Sequence, residues 1–406
     1  MKQSLAALFL MLMTINLYAD DLQERITALE NELEIIKSNP SLTKIDGGLR
    51  AQTVNGTSKF RFAARLQADY AFYQKDVQDL GSGSELRTLR MGVRGKLAPQ
   101  WDYKLEADFL TGNKVRITEG YLAYKGIRNT TIQVGNIFEM YGLEEFSSSV
   151  DTTFMERSVA VDAFVPDYNQ GLAYIRWGDI YHVSMGIYGD STNNAQTSTN
   201  ESVGSSARLV LAPLNNVGQV FSIGMSAYFR DVTSDVWRVN ARPNSHVTPV
   251  RLVDTGNISD VVNIAAINLE TSMTQGAFSV QAEYNKQMLN RNKASKDADF
   301  NGWYILGSYM LTGESRPWDM ASATYGRPSP KQVGGAWEVA FRFDKLNLND
   351  TDAVISGGEM STATLGLNWY PVSNVRFSTN LIQVDSEKAG IKDNPNIIQI
   401  RAQVAF

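Results

Sequence analysis

The sequence predicts an all-β protein: a 16-stranded antiparallel transmembrane β-barrel with a short N-terminal coiled-coil helix. Three observations carry that prediction. Apolar and polar residues alternate with a period of two in one segment after another. The apolar faces carry aromatic residues near the segment ends, whereas the opposite faces carry full charges. Tight turns join segments in pairs, with longer connections between the pairs. The bulk composition fits. The 406 residues include 38 Lys+Arg and 43 Asp+Glu, a formal charge of −5, and no cysteine. Mean hydropathy is −0.24 and the sequence pI about 5.3. Beyond the N-terminus no stretch reaches the roughly 18 apolar residues that a spanning helix requires. Aromatics at 10% with only 20% charged residues do not describe a solvated coil. Without cysteine there is no disulfide framework, thiolate metal site or cysteine nucleophile, and the acidic pI argues against nucleic acid as a partner.

Residues 1–19 have the layout of a signal peptide. Met1-Lys2 gives a positive start, Leu5 to Leu17 an apolar run too short to span comfortably, and Ala19 before Asp20-Asp21 a small-residue cleavage site. Residues 20–40 are predicted to be a short coiled-coil helix. Leu22, Ile26, Leu29, Leu33 and Ile36 form an a/d seam, and Asn39-Pro40 stops it. Two heptads are marginal alone. The helix therefore either joins subunits on the periplasmic side or lies on its own barrel. Residues 41–58, with Asp46-Gly47-Gly48, read as a linker.

From Lys59 the period becomes two. Phe60, Phe62, Ala64, Leu66, Ala68, Tyr70 and Phe72 share one face, and Lys59, Arg61, Arg65, Gln67 and Asp69 the other. Trp101, Tyr103, Leu105, Ala107 and Phe109 alternate with Asp102, Lys104, Glu106 and Asp108. Sixteen such segments fall between 59 and 406, each near the ten residues that cross a bilayer as a tilted strand. Turns such as Ala98-Pro99-Gln100 and Gly178-Asp179-Ile180 mark one rim. The final segment alternates through Ile398, Ile400, Ala402 and Val404 to a terminal Phe406. Such an ending suits a bacterial outer-membrane protein.

One connection stands apart. Residues 139–169, between the fifth and sixth strands, carry Glu139, Glu144, Glu145, Asp151, Glu156, Asp162 and Asp167 against a single Arg157. A loop this long without strands of its own is usually functional, and in a wide barrel the obvious role is to fold inward as a constriction. It would then face a basic wall. Arg61 and Arg65 share the polar face of the first strand, and Arg90, Arg94 and Lys96 share that of the second with Thr88. Arg87 has the opposite parity and is expected at the strand's rim. Opposed basic and acidic walls would set a transverse field that screens solutes. The expected pore-lining set is Arg61, Arg65, Arg87, Thr88, Arg90, Arg94, Lys96, Glu139, Glu144, Glu145 and Asp151.

The chain resembles the phosphate-selective porins O and P over essentially the whole barrel. The likeness rests on Phe62-Ala63-Ala64-Arg65-Leu66-Gln67-Ala68-Asp69-Tyr70, Leu86-Arg87 to Gly95-Lys96-Leu97, and Trp101-Asp102-Tyr103-Lys104-Leu105. It continues in Tyr141-Gly142-Leu143-Glu144, Met155-Glu156-Arg157, Leu211-Ala212-Pro213-Leu214, Leu311-Thr312-Gly313-Glu314, Gly335-Ala336-Trp337-Glu338 and Leu367-Asn368-Trp369-Tyr370. The resemblance implies a trimer of sixteen-stranded barrels with residues 139–169 folded into the pore. Phosphate-binding members place arginines from the first two strands at the constriction, and a lysine just after the Gly-Leu-Glu of the inward loop. Arg65 and Arg87 match two of the arginines. Thr88 stands at the neighbouring one, with Arg90 one pleat along able to restore the charge. The lysine position is Glu145, whose carboxylate is expected to repel phosphate, and Asn136 stands where members commonly carry Arg or Gln.

No enzyme motif competes. His182 and His246 are the only histidines, and there is no HExxH, P-loop or G-x-S-x-G. Neither a cofactor nor a metal site is indicated. The expected function is passive diffusion of small hydrophilic or ionic solutes through a water-filled outer-membrane channel, with lipid and sister subunits as partners. An anion- or phosphate-selective pore using Arg65, Arg87 and Arg90 is the alternative within transport. A structural or adhesive protein with a closed pore is the alternative outside it.

Overall fold

The period-two segments become strands because a strand sends successive side chains to opposite faces. In a closed sheet this makes one face lumen and the other lipid. The computed structural model describes residues 23–31, 34, 43–45, 49–53, 57–111, 114–192, 200–292 and 295–406. The expected signal peptide lies outside the described residues, as does most of the expected coiled-coil segment. Of the latter, residues 23–31 are helical and exposed.

Sixteen strands form the wall: β1 Lys59–Gln74, β2 Gly83–Ala98, β3 Trp101–Thr111, β4 Lys114–Tyr124, β5 Thr130–Phe138, β6 Tyr168–Trp177, β7 Tyr181–Tyr188 and β8 Gly204–Asn216. The second half comprises β9 Gln219–Asp231, β10 Val261–Gln275, β11 Phe278–Arg291, β12 Ala298–Met310, β13 Ala336–Asp350, β14 Ile355–Val372, β15 Val375–Lys388 and β16 Asn396–Ala405. Each pairs antiparallel with its successor. β16 pairs back onto β1, from Asn396↔Gln74 to Ala405↔Arg65, and the cylinder closes.

Burial is inverted relative to a water-soluble fold. In β16, Ile398 and Ile400 are each 49% exposed, while Gln399 and Arg401 are 2% and 3% exposed. Arg208, Arg342 and Arg376 are among the largest fully buried side chains. An apolar outer face requires lipid, because exposed apolar patches of this extent are not left in water. Near the short-turn rim Trp337 stacks on Trp369 at 5.6 Å, and Trp369 on Phe377 at 5.5 Å. These rings form part of an interfacial aromatic girdle.

Two departures from expectation have local causes. Residues 43–45 and 49–52, expected to be linker, are strands, and Arg50 pairs with Arg61 of β1. The last strand stops opposite Arg65, so the lower end of β1 would otherwise be an open edge. Arg87 is the extra residue of a bulge, since Gln67 pairs with Thr88 and Ala68 with Leu86. A bulge breaks the parity count and re-aims its side chain, so Arg87 faces the lumen rather than the rim. Finally, residues 311–335 form a long connection on the rim that otherwise carries the short turns. Its Tyr325 and Ala323 are buried among lumenal side chains.

A charge in the middle of the outer face tests this orientation. Leu365 of β14, 48% exposed, is expected to cost roughly 2–4 kcal/mol of folding free energy on Leu365→Arg. The neighbouring lumenal Thr364→Ser should cost under about 1 kcal/mol. Urea-titrated folding into liposomes measures both.

Candidate functional site

The acidic loop enters the lumen at Glu139, whose buried carboxylate accepts hydrogen bonds from Arg230 of β9 and from Asn169 Nδ2, the latter at 2.6 Å. Three residues on, Gly142 adopts φ +66°, and a Cβ there would lie 2.9 Å from Glu283 Oε2. Only glycine meets both demands. The chain then starts the short helix α1, Leu143–Phe146, whose leading amides on Leu143 and Glu144 donate to the Glu283 carboxylate of β11 at 3.0 and 2.7 Å. A carboxylate suits the free amides and positive pole of a helix start. A second turn, α2 Val159–Asp162, is capped by Ser158, whose Oγ accepts from the Ala160 amide at 3.1 Å.

Between these turns, lumenal side chains of the far wall grip the loop backbone. Arg342 of β13 donates to Glu156 O at 3.0 Å and lies 3.4 Å from Glu144 Oε1. Asn368 of β14 donates to Thr153 O at 2.8 Å, and Gln403 of β16 to Val150 O at 3.0 Å. Arg376 and Arg401 donate to the Thr152 and Met155 carbonyls. The loop is thereby pressed against β11–β16, and the open lumen lies between it and β1–β4.

That space is a cavity of about 960 Å³. Of the expected pore-lining set, Arg61, Arg65, Arg87, Thr88, Arg90, Arg94, Glu145 and Asp151 lie along it. Lys96, Glu139 and Glu144 do not. Lys96 Nζ donates to Pro99 O at the rim, while Glu139 and Glu144 are buried behind the loop as anchors. Charged and polar residues outside the expected set also line it, among them Lys104, Glu106, Asp108, Arg116, Glu119, Glu156, Arg157, Asp162, Asp167, Tyr168, Arg242, His246, Arg327 and Arg401. Lys104, Glu106 and Asp108 were legible on the polar face of β3. Arg242 and Arg327 arrive on connections whose inward course no local pattern reveals.

The electrostatics differ from two opposed walls. Part of the basic wall is paired within itself. Arg65 meets Glu106 at 3.1 Å, Arg90 meets Asp108 at 3.0 Å, and Lys104 meets Glu119. Arg61 and Arg94 are direct cross-strand partners, with Lys104 next to Arg94, and neither arginine has a carboxylate in ion-pair range among the described residues. Such like-charge pairing is unfavourable, and it leaves a positive strip. On the loop side four of the five acids at the cavity have an arginine, Asp167 meeting Arg116, and Asp162 has none in ion-pair range among the described residues. Glu145 meets Arg157 at 2.8 Å, and Asp151 meets Arg327 at 3.1 Å. Glu156 meets Arg87 at 3.0 Å and Arg401 at 2.7 Å. Burial pushes the Glu145 carboxyl up to about 8 despite Arg157. Burial likewise raises Glu139 and Glu144. For Glu156 burial acts in the same upward sense, but Arg87 and Arg401 outweigh it and hold the carboxyl well below the ordinary range. The Glu145 carboxylate, expected to repel phosphate, thus has a compensating guanidinium beside it in Arg157. Among the described residues the lining carries eleven Arg or Lys against eight Asp or Glu, and no group of three or more His, Asp or Glu has the arrangement to hold a metal ion.

Comparison with known proteins converges on one family. The family described as phosphate-selective porin O and P matches residues 60–406. Porin O of Pseudomonas aeruginosa is 26% identical over 387 residues, covering 85% of this chain and 87% of that protein. An uncharacterized protein of Caulobacter vibrioides is 28% identical over 357 residues, covering 83% and 71%. Among solved structures, OmpT of Vibrio cholerae superposes with a TM-score of 0.55 at 12% identity, covering 89% of this chain and 99% of that one. An anion-selective porin from Comamonas acidovorans gives 0.53 at 13% identity, covering 86% and 100%. These structural likenesses bear on the fold. The chain belongs to the phosphate-selective porin O and P family and forms a channel of the bacterial outer membrane.

Proposed function

We propose that this channel passes small hydrophilic solutes by diffusion and prefers anions, phosphate among them, at its constriction. The observation that carries the reading is the charge of the lining. All but one of the loop acids, Asp162, are matched by arginines, whereas among the described residues Arg61 and Arg94 face the cavity without a carboxylate partner, and cations outnumber acids in the lining. An excess of fixed positive charge in a narrow, low-dielectric passage favours anions over cations. Arg65, Arg87 and Arg90 stay available to an entering anion, because each keeps part of its guanidinium side chain exposed on the cavity despite its carboxylate partner. The family's phosphate-binding members and the anion-selective porin of similar fold support the same sign. The channel acts as a homotrimer, for which OmpT, with a trimer form among the similar structures, is a precedent. Residues 1–19 are removed on export, and the a/d sequence pattern of residues 20–40 suits a periplasmic role in joining sister subunits.

Purified protein in planar bilayers tests the reading. It should conduct, with a reversal potential under a KCl gradient that reports chloride preference and a current reduced by added phosphate. Arg61→Gln with Arg94→Gln should lower the anion-to-cation permeability ratio about threefold, the effect of one to two partly screened charges across the passage. Cation preference in the parent protein would overturn the selectivity. Absence of conductance would favour the closed, structural alternative.

The pH response has a definite sign. Below about pH 7 the Glu145 carboxyl, pushed up to about 8, is protonated and leaves the Arg157 charge on the lumen uncompensated. As pH rises through 8 the carboxylate forms and cancels it. Anion preference should therefore fall between pH 7 and 9 in reversal-potential measurements, and Glu145→Gln should flatten that change.

A further inference from the structure

We infer that Arg327, carried into the lumen by the connection on the short-turn rim, is a selectivity-determining residue that acts by holding the Asp151 carboxylate of the constriction loop. The inference deepens the proposed anion preference and rests on it.

The connection of residues 311–335 is a fixed insert. Arg208 of β8 donates to Ser322 O and Ala323 O, both at 2.8 Å, and Thr274 of β10 donates to the Tyr325 hydroxyl at 2.9 Å. Trp318 packs edge-on to Tyr325 at 5.0 Å, and the Arg316 guanidinium lies over the same ring at 5.1 Å. From this platform two arginines reach the constriction loop, and they do different things. Arg316 donates to the Asp151 carbonyl at 2.7 Å and to the Thr153 hydroxyl, so it positions backbone. Arg327 donates through Nε to Asp151 Oδ1 at 3.1 Å, so it meets charge.

The Arg327 guanidinium is braced for that contact. Its Nη1 donates to Ser373 O in the β14–β15 turn at 2.8 Å and reaches Ala405 O at 3.4 Å. Both side chains keep a face on the cavity, with 17% of Arg327 and 22% of Asp151 exposed. Asp151 is the only charged residue in the lumen-facing run Ser147-Ser148-Ser149-Val150-Asp151-Thr152. Among the described residues Arg327 is its one cationic partner in ion-pair range. Across the cavity stands Arg65, whose guanidinium donates to Ser149 Oγ at 3.2 Å. An anion held by Arg65 would pass close to Asp151. The sign of the loop surface at this point depends on whether Arg327 is there. Two chain segments entering from opposite rims thus jointly define one charge.

Reversal potentials of four variants in planar bilayers test this, with heat-modifiable mobility on SDS gels as the check of folding. Arg327→Gln should lower the anion-to-cation permeability ratio about threefold, because the Asp151 carboxylate is left bare. Arg327→Lys should stay close to the parent. Asp151→Asn, which leaves the anchors of the connection in place, should raise the ratio. The double variant Arg327→Gln/Asp151→Asn should return it to the parent value, which an arginine serving only to brace the fold would not produce. An unchanged ratio in Arg327→Gln, or a double variant that keeps the Arg327→Gln value, overturns the inference while leaving the channel reading intact. Should Arg327→Gln fail to fold, an unchanged ratio in Asp151→Asn overturns it equally. A cation-preferring parent protein would instead remove the proposed selectivity itself.

Discussion

A β-sheet in a bilayer must close, because an open edge would leave backbone N–H and C=O groups in hydrocarbon without partners. Closure here is made by ten residue pairs between β16 and β1, and the rest of the molecule follows from it. Once the cylinder is complete, the two-residue period divides every strand into a lipid side and a lumen side. Polar side chains that a soluble core would exclude are gathered inside, where they can bond to one another. The N-terminal pairing of Leu49–Gln52 along the lower end of β1 is the same requirement met locally.

The polar interior makes an inward loop feasible. A segment buried in a hydrocarbon core would strand its backbone carbonyls, at a cost of about 1–3 kcal/mol for each unpaired group. In this lumen the Arg342, Arg376, Arg401, Asn368 and Gln403 side chains accept that burden. The need is mutual. A buried guanidinium is costly unless it is paired, and the loop's carbonyls and carboxylates are what those arginines find. This is why so acidic a loop sits stably against its wall. Its carboxylates are mainly structural partners, with Glu144 and Glu139 entirely so.

That use of charge decides the character of the passage. Most of the loop acids are committed to arginines and no longer oppose the basic strip of β1–β3, and among the described residues the strip's own pairs leave Arg61 and Arg94 unmatched. The overall charge of −5 therefore says little about the lumen, which has more cations than anions on its surface. The local balance depends on which side chains meet. A net count over the chain does not contain that information.

The alternation from Phe60 to Phe72, repeated through the Ile397–Phe406 segment, was enough to determine the strand pattern, the inside-out faces and the barrel, because period-two geometry is local. It also placed Arg61, Arg65, Arg90 and Arg94 on the lumen side. Arg87 escaped the parity count because a bulge is visible only in the pairing, although adjacent polar residues Arg87-Thr88 between Leu86 and Leu89 hint at the break. Residues 41–58 read as linker because too few residues alternate there to reveal a strand. Lys96, Glu139 and Glu144 have suitable charge and parity or loop membership, yet their place at the rim or behind the loop depends on three-dimensional partners. The same holds for Glu145, whose charge is governed by burial and Arg157, and for Asp151, whose partner lies 176 positions away. Sequence by itself determined which residues share a face. Tertiary structure alone decided which charges meet, since an ion pair acts over a few ångströms of space whatever the separation along the chain.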